Sequence, residues 1–394
     1  MHLFDSDIDR SDAGPSRHAE PHFPYLNRSG RSEAGRIRTV LESWFSRYPA
    51  AGQAELRARF RSPDDVHHHG AFFELYLHEL LVLLGYHVEL HPHLDGTDRR
   101  PDFYAERGQG DAFFLEAIVA TDKSVRELAA EARLNQVYDA LNAVKSPDFF
   151  IGVEAPEGPP TPPPGKALRA AVESFLQGLD PDWLAEAFQR SGFGALPRGK
   201  FAHDGWSIEF YPIPKSPAAR GDQTIRPLGM VGSMTPRWVD DRVALRDAIL
   251  KKASRYGDLE QPFVVAVNAV RQHLDMTDIM EALFGKETFV IHADERHNEP
   301  EMRRNPDGAW LGPSGPTNTR VTAVLVGSSI MPWSLAAYSP SVYHNPWGRC
   351  PCGRAFDQLP SYHPEGNTMS LRPGATFRQL AGLPEGWPME PASA

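Results

Sequence analysis

A single glutamate interrupts a run that otherwise favours burial: Phe113-Phe114-Leu115-Glu116-Ala117-Ile118-Val119-Ala120. The residue types and the length of the run predict a β-strand. In a strand, side chains alternate between faces, so Glu116 shares a face with Phe114 and Ile118. A carboxylate in such surroundings costs free energy unless a cation or donor compensates it. The fold must therefore bring a pocket, a base or a metal ion to that face. Just upstream, Phe72–Leu81 has the spacing of a helix, with Phe73, Leu77, Leu80, Leu81 and Leu84 as its core stripe. Glu74 flanks that stripe. A strand is expected from His87 to Leu94, followed by Arg100-Pro101-Asp102-Phe103-Tyr104. Asp102 and Glu116 thus both lie at or inside apolar strands, and converging carboxylates commonly hold a hard cation such as Mg²⁺ or Mn²⁺.

The order helix with Glu74, strand, Pro101-Asp102-Phe103, turn, and strand with Leu115-Glu116-Ala117 resembles the core of the PD-(D/E)XK, or restriction-endonuclease-like, nucleases. The resemblance covers Phe72–Ala120 and, more loosely, Arg242–Asn268. It implies an α/β fold, a mixed sheet flanked by helices, with helical and loop-rich elaborations. It also implies that Asp102, Glu116 and Glu74 bind Mg²⁺ or Mn²⁺ for hydrolysis of phosphodiesters, with Glu79 as the fallback helix acid. The family's lysine, two residues after the strand acid, is absent, because position 118 is Ile.

A lysine from another element can serve if its ammonium reaches the same place. Leu245, Ile249, Lys252 and Tyr256 fall on one helical stripe. Lys252 is a cation on an otherwise apolar line, leading into the buried strand Pro262–Asn268. It is preferred to Lys123 and Gln136 as the substitute; the plainer alternative is a snorkelling lysine. Lys252, Glu74, Asp102 and Glu116 make up the expected catalytic set. Arg99 and Arg100 adjoin it as candidates for phosphate positioning rather than base reading.

Composition sets bounds. The formal net charge of −10, from 41 basic and 51 acidic residues, argues against binding built mainly on phosphate contacts. Local basic patches remain, one of them Arg57, Arg59 and Arg61. The two cysteines, Cys350 and Cys352, exclude a disulfide framework and suit a reducing cytoplasm. Neither a secretory signal nor a membrane-spanning apolar run is visible. The expected partner is nucleic acid, DNA before RNA, with no membrane.

Along the chain, 1–32 reads as disordered and 346–394 as a loosely packed tail. Between them, 33–345 reads as one elaborated domain, with core 70–154 plus 239–268 and an inserted region 155–238. Its two helix-then-strand units, 124–154 and 239–268, suit one α/β sheet. His87, Glu89, His91 and His93 share a strand face that reads as solvent-facing rather than metal-binding. Cys350-Pro351-Cys352 lacks the second pair a zinc site needs. The leading expectation is a metal-dependent nuclease. The alternative is an inactive protein of the same fold that binds nucleic acid or acts as a scaffold, and a third class uses Trp310, Trp333 and Trp347 as protein contacts.

Overall fold

The computed structural model describes all residues except 109, 122, 155–157, 223, 233–239, 258, 271–273, 291–300, 353, 355, 367 and 390–394. The chain divides into two compact units. One comprises Met1–Gly14, Pro21–Asp122 and Val239–Ala394; the other comprises Pro15–Glu20 and Lys123–Trp238.

The first unit opens with helices α1 (His22–Arg28), α2 (Ser32–Arg47), α3 (Ala50–Phe60) and α4 (Asp65–Leu83). Strands β1 (His87–Leu90), β2 (Phe103–Glu106) and β3 (Ala112–Ala120) follow. The second unit supplies α5 (Val125–Asn142), β4 (Phe149–Glu154), α6 (Gly165–Leu176), α7 (Pro181–Ser191), β5 (Gly199–His203), β6 (Trp206–Pro214) and β7 (Leu228–Gly232). The first unit resumes with α8 (Asp241–Ala253), β8 (Phe263–Ala269) and α9 (Met276–Phe284). Two short hairpins come next: β9 (Glu287–Val290) with β10 (Glu301–Arg304), and β11 (Leu311–Gly312) with β12 (Gly315–Pro316). The last elements are β13 (Val321–Ser328), β14 (Ser341–His344), β15 (Ser361–Glu365), β16 (Thr368–Arg372) and α10 (Phe377–Leu380).

The main sheet runs β1-β2-β3-β8-β13-β14-β15-β16. Strands β1, β2 and β3 are antiparallel neighbours, whereas β3, β8 and β13 are parallel. Central parallel strands need apolar residues on both faces, and every residue of β8 is buried. Val264, Ala266, Ala323 and Leu325 join the core built with α4, while Val265, Val267, Val324 and Val326 join the core built with α8 and α9. The first unit is thus a mixed sheet flanked by helices.

Local chemistry sets the ends of the two helices that matter most. Asp64 caps α4 by accepting from the Val66 N–H. At the other end, Gly85 with φ of +87° makes the left-handed turn. There the Tyr86 N–H donates to the Leu81 carbonyl and the Gly85 N–H to that of Val82, satisfying two helix-end acceptors. Asp240 caps α8, and Lys251 and Lys252 occupy its last turn, where cations favour the helix dipole.

Several expectations require correction. The segment 1–32 is packed rather than disordered: Leu3, Phe4, Phe23 and Leu26 are buried in the α4-side core, and α1 forms within it. The 346–394 segment is likewise ordered where described, carrying β15, β16 and α10 and burying Cys352, Phe356, Leu359 and Phe377. The unit 124–154 does not join the main sheet. Its strand β4 pairs with β6 and β7, giving a separate sheet in the order β5-β6-β4-β7. Val137, Leu141, Phe149, Ile151 and Val153 form that unit's own core with Leu168, Val172 and Leu184. The first strand stops at Leu90 because His91 takes a φ of +46°. The helix of the expected unit 239–268 is α8, ending at Ala253; the unit's first residue lies outside the described residues. Trp310 is fully buried and offers no contact surface. Among the described residues no helix is long and apolar enough to cross a membrane.

Candidate active site

The register of β2 and β3 places the two strand acids side by side. Phe103 pairs with Leu115, so one step outward sets Asp102 beside Glu116. The Ala117 N–H donates to Asp102 Oδ2 at 2.7 Å, which fixes the carboxyl at the strand edge. Glu116 lies in the middle of β3, between β2 and β8, and is fully buried. Its side chain points to the face that carries α8.

Helix α8 and the residues just past its end meet that carboxylate. Lys252 Nζ donates to Glu116 Oε1 at 2.6 Å across 136 residues of sequence. Arg255 Nη1 donates to the same oxygen at 2.7 Å. Tyr256 Oη donates to Glu116 Oε2 at 2.6 Å and also lies 2.8 Å from the Arg100 carbonyl. Burying one carboxylate costs several kcal/mol, about as much per ion as burying an ammonium. Two cations and a phenol on Glu116 supply the compensation that the sequence demanded. Burial, the bond to Glu116 and its negative charge push the Tyr256 phenol upward. Asp102 lacks such partners: burial and the neighbouring Glu116 charge raise its carboxyl to about 6, against the pull of Lys252.

Glu74 has partners of its own on the α4 side, although its charge also reaches Asp102 and helps to raise that carboxyl. It is buried on α4 and accepts from Tyr48 Oη at 2.5 Å and Arg59 Nη2 at 2.6 Å. The fallback acid, Glu79, is bound by Arg47 at 2.6 Å. The structure therefore brings Lys252, Asp102 and Glu116 together and gives Glu74 its own partners. Lys123, the less favoured lysine, pairs with Glu131 in the second unit. The patch of Arg57, Arg59 and Arg61 is spent internally, on the His2 carbonyl, Glu74 and Asp5 respectively.

A cleft of about 610 Å³ is lined by Arg99, Ala117, Ile118, Lys251, Lys252 and Arg255 among others; it reaches the partners of Glu116, while Glu116 and Asp102 lie behind its wall. Arg99 reaches it and donates to the Arg255 carbonyl at 2.8 Å. Arg100 contributes its backbone carbonyl to Tyr256 and exposes its side chain. Sequence reasoning missed Arg255. The signal was there: Arg255 and Tyr256 lie three and four residues after Lys252, the spacing that turns side chains to one side of a helix, although α8 itself ends at Ala253.

Two neighbouring carboxylates are the hard oxygen donors that Mg²⁺ and Mn²⁺ prefer. Burial chiefly, and then the Glu116 charge, raise the Asp102 carboxyl, and a divalent ion beside it would offset the second of these. Asp102 and Glu116 fit such an ion in donor type and charge, provided Glu116 releases one of its present partners. Among the described residues, no group of three or more His, Cys, Asp or Glu side chains is placed to hold a metal ion. Any further ligands would come from the backbone or water. The Cys350 and Cys352 thiols are free. No protein-family model, no curated protein and no solved structure matches this chain.

Proposed function

We propose that the first unit is a metal-dependent nuclease of the restriction-endonuclease-like kind, hydrolysing phosphodiester bonds in nucleic acid, DNA before RNA. One observation carries the reading: α8 delivers the Lys252 ammonium to Glu116, beside Asp102, although the family position for that lysine holds Ile118. The order of elements supports it as well. Helix α4, the antiparallel set β1–β3, then α8 and a strand parallel to β3 follow the arrangement that the resemblance implies.

In this reading Asp102 and Glu116 hold Mg²⁺ or Mn²⁺. A divalent ion so bound lowers the pKa of a water ligand and neutralises charge developing on the scissile phosphate. The Ala117 N–H keeps Asp102 oriented toward its neighbour. Lys252 places a positive charge where the attacking oxygen and the phosphorane need it. Arg99 and Lys251 line the cleft and hold phosphates of the strand, contacts that position without reading sequence.

The test is cleavage of DNA and RNA with Mn²⁺ by the wild type, Asp102→Ala and Glu116→Ala. Activity in the wild type alone is expected; activity that survives both substitutions removes these acids from the mechanism. A second reading has its own support. Both Glu116 oxygens are already occupied by Lys252, Arg255 and Tyr256, which is how an acid retained for structure is held. That reading is a nuclease-fold protein acting as a nucleic-acid-binding or scaffold subunit. It predicts no cleavage, and no Mn²⁺ binding by calorimetry.

A further inference from the structure

The bonds to Glu116 are unequal in a way that the proposed chemistry leaves unexplained. Lys252 and Arg255 share one oxygen, Oε1, at 2.6 and 2.7 Å. The Lys252 side chain is 12% exposed and that of Glu116 is 1% exposed, whereas that of Arg255 is 45% exposed. Lys252 sits within the last turn of α8; Arg255 lies beyond the helix end and lines the open cleft. Tyr256, next in sequence, is pinned by Glu116 Oε2 and the Arg100 carbonyl. The backbone at 255 is held from outside as well, through Arg99. The guanidinium is therefore the partner best placed to leave, by side-chain rotation, because water already reaches it. A guanidinium carries five N–H donors in a fork that matches phosphate as well as carboxylate.

Resting on the nuclease reading above, we propose that Arg255 is an exchangeable placeholder. In the metal-free protein its guanidinium covers Glu116 Oε1. When a divalent ion takes that oxygen, Arg255 turns to a phosphate of nucleic acid in the cleft. Metal and nucleic acid then bind cooperatively, because each releases Arg255 to the other's advantage. Arg255 is a positioning residue in this scheme: it couples two ligands. Lys252 stays in place throughout. Metal-free Glu116 is thereby kept neutralised until substrate arrives.

Calorimetry tests this without reference to turnover. Mn²⁺ is titrated into the full chain, with and without an uncleavable phosphorothioate single-stranded DNA oligonucleotide. Three proteins are compared: wild type, Arg255→Gln and Lys251→Gln. Lys251→Gln removes an equal charge from the same cleft without touching Glu116. In the wild type the oligonucleotide should tighten Mn²⁺ binding roughly 5-fold or more, the lower end of ordinary coupling between sites, and Mn²⁺ should tighten oligonucleotide binding by the same factor. Arg255→Gln should bind Mn²⁺ more tightly than wild type when alone and lose most of that coupling. Lys251→Gln should weaken oligonucleotide binding and keep the coupling.

Equal coupling in wild type and Arg255→Gln, with Mn²⁺ bound in both, overturns the placeholder and leaves the nuclease reading standing. Loss of coupling in Lys251→Gln to the same degree shows a general charge effect and also overturns it. Absence of Mn²⁺ binding in all three, with circular dichroism showing them folded, overturns both proposals.

Discussion

Two acids are buried against the main sheet in similar company, and they differ in what else stands beside them. Glu74 receives a phenol and a guanidinium, from Tyr48 and Arg59. Glu116 receives a phenol and a guanidinium too, from Tyr256 and Arg255. The difference lies in what is added. Around Glu74 one carboxylate meets one cation, with Asp102 near enough to feel its charge. Around Glu116 a lysine joins, a second carboxylate stands alongside, and a cleft opens. Burial of an acid is therefore weak evidence of chemistry. A surplus of polar groups at an open surface is stronger.

Removing each acid in turn separates the two networks. Glu116→Gln should have the largest effect, abolishing Mn²⁺-supported cleavage. It should also cost about 3–5 kcal/mol of stability, because Lys252 is left buried beside a neutral group. Cleavage assays and chemical denaturation report the two losses. Lys252→Met comes next, with cleavage expected to fall about 10²–10³-fold, the usual consequence of losing one stabilising donor. Arg255 and Tyr256 still hold Glu116 there, so the melting temperature should change little. Glu74→Gln should reverse that pattern, costing about 1–3 kcal/mol for Arg59 and Tyr48 left poorly matched, while Mn²⁺ affinity by calorimetry stays at the wild-type value. Equal losses of Mn²⁺ affinity in Glu74→Gln and Glu116→Gln would erase the distinction.

The smallest expected effect concerns pH. The Asp102 carboxyl is raised from an ordinary 3.8 to about 6 in the folded protein, chiefly by burial and then by Glu116. Between those values the folded state keeps a proton that the unfolded chain has shed, so this group makes stability fall as pH rises through the window. Asp102→Asn should flatten that fall in denaturation curves between about pH 4 and 6. An unchanged pH slope would show that burial and Glu116 do not raise the Asp102 carboxyl.

The parts of this arrangement that lie on one periodic segment were legible in the sequence. Glu116 announced itself by its strand, and Lys252 by being the one cation on the stripe Leu245, Ile249, Tyr256. The Tyr48–Glu74–Arg59 set was not, because pairing between separate helices leaves no period to follow. The segment 1–32 misled for a related reason: Leu3, Phe4, Phe23 and Leu26 are too sparse in a polar run to show an amphipathic face, yet all are buried. The helix and strand of 124–154 carry the same pattern as α8 and β8. Periodicity identifies the elements without saying which sheet they join.

The central claim is that Asp102 and Glu116 form a divalent-cation site served by Lys252. The most direct test is a crystal structure of the protein soaked in Mn²⁺, with anomalous scattering recorded. A peak bound by both carboxylates is expected, with Arg255 turned into the cleft. A map without that peak, in which Glu116 still accepts from Lys252, Arg255 and Tyr256 together, would contradict it.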